Sequence, residues 1–250
     1  MKRALALLLL AAAACGAAGR RVLVYTRNYV SGAGGFVHDN IAASVAAIRK
    51  MGAGNGFAVD VSDDPAVFAA ANLNQYGAIV FSNSNNEAFA AEAQREAFKV
   101  YVRAGGGVVG IHSATGSERN WPYFQAVMGG HSLRHPKLQR FVVRVKDANH
   151  PSTKSLPASF EWEDECYYHD NINPDIRVLL ATDPAALEDP GKADYPGDRF
   201  GDSLPLAWCH TYGGGREFYT ALGHKIEHYE HPLLYRHILG GILWAMEKTK

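Results

Sequence analysis

The stretch Gly105–Gly116, which reads GGGVVGIHSATG, decides the fold. Its first part is a short run of valine and isoleucine among glycines, as in a strand that is buried on both faces of a parallel sheet. The run ends in a turn of small residues, and the first side chain after the run is that of His112. In open α/β sheets the ligand lies beyond the carboxyl ends of the strands, so the stretch predicts a buried strand that presents an imidazole to a site.

The segments around this strand alternate between strand and helix patterns. Upstream, strands are predicted at Arg21–Thr26, Phe57–Val61 and Ala78–Ser82, and helices at His38–Met51 and Glu87–Arg103. Downstream, strands are predicted at Leu138–Val145, Phe160–Tyr167, Arg177–Ala181, Leu204–Tyr212 and Glu217–Leu222, before a last helix at Tyr235–Met246. The sequence therefore predicts an α/β fold, a doubly wound, flavodoxin-like and mostly parallel sheet that is extended by antiparallel strands in the C-terminal half.

The composition narrows the class of ligand. The chain has 250 residues, of which 47% are hydrophobic, and its 25 basic and 25 acidic residues give a formal charge of zero. No overall field attracts nucleic acid or anionic lipid, so a small neutral ligand is expected and nucleic acid is not. No long polar linker divides the chain, which predicts a single domain over residues 21–248.

The N-terminal segment has the layout of a secretory signal. Lys2 and Arg3 precede an apolar run from Ala4 to Ala14, and small residues follow. Residues 1–18 are predicted to be removed after export to the periplasm or the extracellular medium, and cleavage before Cys15 with lipoprotein anchoring is the alternative. The run is shorter than the roughly 20 apolar residues that span a bilayer, so no transmembrane helix is expected in the mature chain.

Two cysteines, Cys166 and Cys209, remain after the predicted cleavage, and the sequence leaves open whether they pair.

Polar side chains follow several of the predicted parallel strands. The list runs from Arg27 to His38 after the first strand, with Asn83 and Ser84 after the third and His112 and Ser113 after the fourth. Because these strand ends meet at one edge of the sheet, the side chains are expected to converge in one crevice. Two alternatives are weaker. Gly32–Gly35 gives only a partial dinucleotide fingerprint, and Ser113 lacks the G-x-S-x-G pattern of a serine hydrolase.

Several short motifs together resemble the ThuA-like family, which is named for trehalose utilisation. They are GIHSAT, Trp121-Pro122, His135-Pro136, DEC with a tyrosine around Glu165, LAWCHTYGGGREFYTALGH at Leu206–His224, and GGILWA. The resemblance covers Arg21 to about Lys248. It implies a fold related to class I glutamine amidotransferases, with His112 at the turn where those enzymes carry a nucleophilic cysteine. Covalent glutaminase chemistry is therefore not expected.

The resemblance and the crevice rule together imply the site residues. The predicted catalytic residues are His112, His38, Glu165 and His210; the predicted substrate-binding residues are Trp121, His135, His224, Asn83 and Tyr167; and the candidate ligands of a divalent metal, whose presence is left open, are His112, His210 and His224. His112 or His38 is expected to act as base and Glu165 as acid.

The resemblance implies a carbohydrate-active protein, and together with the predicted signal it gives an exported enzyme as the leading hypothesis. It would cleave or isomerise a glycoside or a 3-keto sugar by His/Glu acid–base chemistry, as a hydrolase or lyase without a cysteine nucleophile. A ketone at C3 acidifies the C2 proton, and loss of that proton expels the group on C1. The expected partners are a small carbohydrate and a sugar oxidoreductase of the same pathway. The alternative is a sugar-binding module without catalysis.

Overall fold

The computed structural model describes residues 20–31, 36–191 and 202–247. The predicted signal with Cys15 and the Gly32–Gly35 loop lie outside these residues. Within them the elements follow one another as β1 (Arg21–Tyr25), α1 (Ile41–Asn55), β2 (Ala58–Ser62), α2 (Ala70–Leu73), β3 (Ala78–Ser82), α3 (Glu92–Arg103), β4 (Gly107–Ile111), α4 (Pro122–Met128), β5 (His131–Arg134), β6 (Gln139–Val145), β7 (Ser159–Asp164), β8 (Tyr168–Asp170), β9 (Arg177–Thr182), β10 (Leu204–Tyr212), β11 (Gly215–Thr220) and α5 (Pro232–Ala245).

Nine of these strands form one mixed sheet in the order β2-β1-β3-β4-β11-β10-β9-β6-β7. The pairs from β2 through β11 are parallel, and the pairs from β11 through β7 are antiparallel. The prediction of a parallel sheet with an antiparallel extension is confirmed. The last strand was expected in the extension, but β11 pairs with β4 in parallel, with Phe218 opposite Val109. The β10–β11 hairpin thus brings its second arm back to the parallel core.

Helices cover both faces of the sheet, as a doubly wound fold requires. Val22 and Val24 of β1 face the cluster that includes α1 and α5, while Leu23 and Tyr25 face the cluster that includes α3 and α4. This alternation is the two-residue period of a strand that is buried on both sides. A Cβ at Gly241 of α5 would overlap the ring of Phe218, so glycine at this position lets the helix lie directly on β11.

All three predicted helices begin at a residue other than the predicted one, and the helix predicted at His38–Met51 spans Ile41–Asn55. The helix expected from Glu87 begins at Glu92, because Glu87 instead pairs with Tyr29 and Gln94 Oε1 accepts the backbone N–H of Ala91 at 3.1 Å. Val100 of this helix is 50% exposed. The final helix begins at Pro232, three residues before the predicted start, since a proline suits the first helical turn.

Both cysteines are free and buried. Burial raises the pKa of the Cys166 thiol above its usual range and that of Cys209 to about 12, so neither side chain has thiolate character at neutral pH. Within the described residues, no helix has both the length and the apolar character that crossing a membrane requires.

Candidate functional site

The turn after β4 places His112 in a strained backbone conformation. Its φ of 54° lies in the left-handed region, which residues with bulky side chains rarely adopt. The hydroxyl of Tyr219 on β11 donates to the carbonyl oxygen of His112 at 2.8 Å, and the Asn83 amide donates to the carbonyl of Ile111 at 3.2 Å. Hydrogen bonds from both neighbouring strands therefore hold this turn, as is typical of strained residues at functional sites.

The His112 ring is oriented by one further contact. Its Nδ1 lies 2.8 Å from the carbonyl oxygen of Ala221. A carbonyl only accepts, so Nδ1 carries the proton and Nε2 of the neutral ring presents a lone pair. Three polar groups surround Nε2: His38 Nε2 lies 3.1 Å away, His224 Nδ1 3.3 Å and the Tyr167 hydroxyl 3.0 Å.

Glu165 completes a cluster of four candidate metal ligands. Its Oε2 lies 3.5 Å from His112 Nε2 and 3.4 Å from His224 Nδ1. One ligand atom from each of His38, His112, Glu165 and His224 can be chosen so that all four lie within 4.8 Å of one another. Ligands at about 2.0–2.1 Å from a tetrahedral metal ion are about 3.3 Å apart, which matches these contacts. Imidazole with carboxylate is a donor set that suits first-row divalent ions.

A second layer of contacts fixes the ligands from behind. His38 Nδ1 lies 3.3 Å from Ser113 Oγ, which leaves Nε2 directed at the cluster. The fully buried Asp164 accepts the backbone N–H of Glu165 at 2.9 Å and that of His224 at 3.2 Å. Such outer contacts orient metal ligands and tune their affinity.

The protonation states within the cluster also suit ligands. Burial and the neighbouring imidazoles of His112 and His224 lower the pKa of His38 to about 3, so this ring is neutral at neutral pH. Burial raises the pKa of Glu165, whereas a proton on the neighbouring imidazoles of His112, His135 and His224 lowers it, and the net pKa is about 2. An ionised carboxylate is a ligand or a base, and it does not suit the acid role predicted for Glu165. A ring with a pKa of about 3 is likewise a poor base at neutral pH.

A cavity of about 450 Å³ opens above the cluster. This volume lies in the range of small-molecule sites. The cavity is lined by Phe36, His38, Asn85, Ser113, Arg119, Ser132, Leu133, Arg134, His135, Glu165 and Tyr167.

Comparison with known proteins gives the family. Residues 21–245 match the sequence profile of ThuA, described as trehalose utilisation. This chain belongs to the ThuA family. The family name gives it a carbohydrate-related context. No curated protein matches it in sequence.

Solved structures show the same architecture for this ThuA-family chain. A ThuA-like protein from Bacteroides uniformis is 25% identical, with 91% of each chain covered and a TM-score of 0.70. A ThuA-like protein from Parabacteroides merdae is 20% identical over 92% of this chain and 91% of that one, with a TM-score of 0.67. A β-galactosidase from Bacillus circulans sp. alkalophilus is 13% identical, and the match covers 92% of this chain but only 31% of that one, with a TM-score of 0.55. The last two likenesses show the fold alone.

Most of the predicted site residues of the ThuA chain lie together. His38, His112, Glu165, His224 and Tyr167 form the cluster and its immediate surroundings. His135 lines the cavity, with Nδ1 3.7 Å from Glu165 Oε1. Asn83 is buried beside the site, and its side chain donates to the Tyr229 hydroxyl at 2.8 Å, so it supports the site without lining the cavity.

His210, predicted as a catalytic residue and metal ligand, lies outside the cluster. On β10 it is opposite Glu217, which pairs with Val108 near the amino end of β4, whereas the cluster lies at the carboxyl end. His210 Nε2 donates to the carbonyl of Val127 at 2.8 Å, and Nδ1 accepts from Asn173 at 3.4 Å. A neutral ring satisfies both contacts, so the 3.4 Å approach of Nε2 to Glu217 is not an ion pair. Burial accordingly raises the pKa of Glu217 well above its usual range.

Trp121, predicted as a substrate-binding residue, also lies away from the cluster. Its ring packs against Phe89 and Phe124, with centroid distances of 5.6 and 6.3 Å. It lines a second cavity of about 550 Å³, with Arg95 and Glu118 among the other lining residues.

Two residues that hold the ligands in place, Asp164 and Tyr219, are not among the predicted site residues. Asp164 directly precedes Glu165 in the DEC motif, so its position beside a candidate ligand was a usable signal. Tyr219 gave no such signal, because it reaches His112 only through the pairing of β11 with β4, which sets it beside Gly110.

Proposed function

We propose that this protein is a metal-dependent enzyme that cleaves or isomerises a glycoside or a 3-keto sugar in the cavity above the four-ligand cluster. The observation that carries the proposal is the convergence of three imidazoles and one carboxylate within 4.8 Å at the end of a parallel sheet. His112 Nε2 lies 3.1 Å from His38 Nε2 and 3.3 Å from His224 Nδ1, and ring nitrogens at these distances need a proton or a cation between them. The carbohydrate context of the family supports a sugar as the ligand.

The residues present fit a divalent ion, which would be held by His38, His112, Glu165 and His224. Such an ion would supply Lewis-acid stabilisation of negative charge that develops on a sugar oxygen. This assignment uses His112 and His38 as ligands, so the acid–base work has to fall to other side chains that line the cavity.

His135 is the imidazole that best fits the role of base. Its Nδ1 lies 2.9 Å from the carbonyl oxygen of Pro136, so Nδ1 carries the proton and Nε2 keeps a lone pair. The side chain is 43% exposed and lines the cavity, which gives it access to a bound sugar. We therefore reassign His135 from substrate binding to proton abstraction.

Tyr167 suits the role of hydrogen-bond donor to the substrate. Burial and the charge of Glu165 raise the pKa of its hydroxyl well above the usual range, so the proton stays on the oxygen at neutral pH. Tyr167 lines the same cavity as His135. The hydroxyl lies 3.0 Å from His112 Nε2, and when that nitrogen is a metal ligand the hydroxyl proton is free for a ketone oxygen on which charge develops.

With a 3-keto glycoside, the proposed reaction is an elimination. His135 takes the proton from C2, the C1–C2 double bond forms as the C1–O bond breaks, and the departing oxygen takes up a proton to leave as an alcohol. Addition of water to the enone would complete a hydrolysis. The ketone supplies the acidity of the C2 proton, so a native glycoside should react far more slowly by this route.

The first experiment measures metal content and turnover together. Protein purified without a histidine tag is analysed by elemental mass spectrometry, and then incubated with native and 3-oxidised disaccharides whose products are detected by mass spectrometry. We expect about one divalent ion per chain and a product from the oxidised sugar. Glu165→Gln should lose the metal and the product, and His135→Gln should lose the product while the metal stays.

His231→Asn is the matched control. It removes an imidazole that lies outside the cluster, and asparagine keeps the capping hydrogen bond to the Leu233 amide. A metal-free wild-type protein that turns over sugar would overturn the metal assignment. A sugar that binds but stays unchanged after long incubation would instead favour the non-catalytic sugar-binding module.

Export is part of the proposal, on the strength of the basic and apolar pattern of residues 1–18. The test is cell fractionation of the full-length chain followed by mass analysis of its N-terminus. A chain that begins at Gly19 supports a soluble exported protein, and a lipidated Cys15 supports anchoring. An intact N-terminus in the cytoplasm would exclude both.

A further inference from the structure

Three polar side chains converge on one wall of the cavity above the cluster, around Gly116, which has no side chain of its own. A Cβ at this glycine would lie 2.6 Å from Asn85 Oδ1, 3.0 Å from Arg119 Nη2 and 3.2 Å from Ser132 Oγ. Asn85 follows β3, Arg119 follows the turn after β4, and Ser132 belongs to β5. Glycine at position 116 therefore lets groups from three segments meet at one point of the cavity.

Arg119 is held at this point with most of its donors available. Its Nη2 donates to Asn85 Oδ1 at 2.9 Å, and the same oxygen accepts the Asn86 amide at 2.9 Å, which fixes the carboxamide. Arginine has five N–H donors, and this bond uses one of them. Arg119 forms no ion pair with any residue that the structure describes. Arg134, which lines the same cavity, is paired with Asp189 at 2.9 Å.

The wall of the cavity at Arg119 has an excess of positive charge. Among the described residues that line the cavity, Glu165 is the only one with a carboxylate, and it belongs to the four-ligand cluster. Since Asp189 neutralises Arg134, the Arg119 guanidinium is left without an anionic partner among the described residues. Arg119 is exposed at the edge of this cavity. A guanidinium without an anionic partner is suited to bidentate binding of a carboxylate or phosphate group.

We propose that Arg119 and Ser132 bind an anionic group of the substrate, so that the cavity selects an acidic sugar over a neutral one. This inference rests on the proposed function, because it assumes that the cavity takes a sugar. Arg119 also lines the second cavity, but Asn85 and Ser132 line only the first, which places the anionic group in the cavity above the cluster. A carboxylate and a phosphate present the same oxygen pair to the guanidinium, and the experiment separates them.

The test is a set of binding measurements that need no turnover. Calorimetry on the metal-loaded protein compares glucuronate, glucose 6-phosphate and glucose, each at two salt concentrations. We expect at least one acidic sugar to bind on the order of 10- to 100-fold more tightly than glucose, as a charged hydrogen-bonded pair allows. The tighter of the two identifies the group as carboxylate or phosphate, and its affinity should fall as salt is added.

Two variants and a control connect the preference to this wall. Arg119→Gln should bind all three sugars with similar affinity and lose the salt dependence, whereas Arg49→Gln, at an exposed position on α1, should behave as wild type. Gly116→Ala keeps the charge but forces Asn85 and Arg119 apart, so it should also lose the preference. Circular dichroism checks that each variant is folded.

The outcomes separate this inference from the proposed function. Glucose binding as tightly as both acidic sugars, no binding of any of the three, or a preference that survives Arg119→Gln would overturn the role of Arg119. Acidic sugars that bind with the expected preference but are never converted would support Arg119 and count against the enzyme.

Discussion

Replacement of Asp164 by asparagine should destabilise the protein strongly and weaken metal binding. The side chain is fully buried and accepts four N–H groups, two on each oxygen. Oδ2 accepts from Trp162 Nε1 at 2.9 Å and the Gly223 amide at 2.8 Å, and Oδ1 accepts from the amides of Glu165 and His224 at 2.9 and 3.2 Å. A carboxamide can serve only one of these two pairs, because its NH₂ group would face the other pair donor to donor.

The magnitude follows from the two hydrogen bonds that are lost. Each bond to a buried charged group is worth about 1.5–3 kcal/mol, so the free energy of unfolding should fall by about 3–6 kcal/mol. Loss of the Oδ1 pair loosens the segments that carry Glu165 and His224, and loss of the Oδ2 pair frees the Gly223 amide directly before His224. Disturbed outer contacts of this kind cost about 10- to 100-fold in metal affinity.

Urea unfolding in EDTA, followed by circular dichroism, measures the free energy of unfolding of the metal-free protein. A competitive chelator titration measures the affinity for the metal ion. Asp183→Asn makes the same chemical change at the start of a short 3₁₀ helix, where Asp183 accepts the Ala185 amide. Asparagine and aspartate cap helices equally well, so this control should be neutral. An Asp164→Asn protein whose unfolding free energy lies within about 1 kcal/mol of the control's would refute the reasoning, since that is less than one charged hydrogen bond.

Three further outcomes are expected. Tyr219→Phe removes the hydroxyl that donates to the carbonyl of His112, so the unfolding free energy in urea should fall by about 1–3 kcal/mol. Burial raises the pKa of Glu217 above its ordinary 4.5, so the folded protein keeps a proton that the unfolded chain releases. The free energy of unfolding should therefore decline as the pH rises above 4.5. Glu217→Gln should flatten this decline in unfolding curves measured from about pH 5 to 8. Cys166 and Cys209 should resist thiol reagents in the native protein and both react in guanidinium without reductant; a disulfide would leave them unreactive there.

The parallel core could be predicted because each of its strands is a short apolar run with a clear end. Ala78–Ser82 of this core has the predicted bounds, as does Leu204–Tyr212 in the antiparallel extension. The placement of β11 could not be predicted. A hairpin pattern shows that β11 pairs with β10, but it does not show which strand lies on the other side of β11. That pairing decides that Tyr219 lies beside Gly110 and can reach the turn after β4.

The site was predictable where a residue follows a parallel strand and was missed where it depends on strand register. His112 follows β4 directly and His38 lies in the segment after β1, whereas His224 and Glu165 are predicted only by the family resemblance. His210 belongs to the same long motif as His224, but β10 runs antiparallel to β11 and carries His210 to the opposite end of the sheet. Motif membership alone therefore could not separate a ligand from a buried structural histidine.

The position of His112 argues for a ligand and against a nucleophile. A side chain that attacks substrate needs an accessible atom, yet His112 is 0% exposed and its Nε2 is surrounded by His38, His224 and Tyr167. The other ring nitrogen is committed to the carbonyl of Ala221. The left-handed backbone at His112 turns the ring off the axis of β4, toward rings that arrive from the ends of β1 and β11. A strained conformation that brings three imidazoles together is of use to a cation that binds all three, which is why the chemistry proposed here assigns proton transfer to His135.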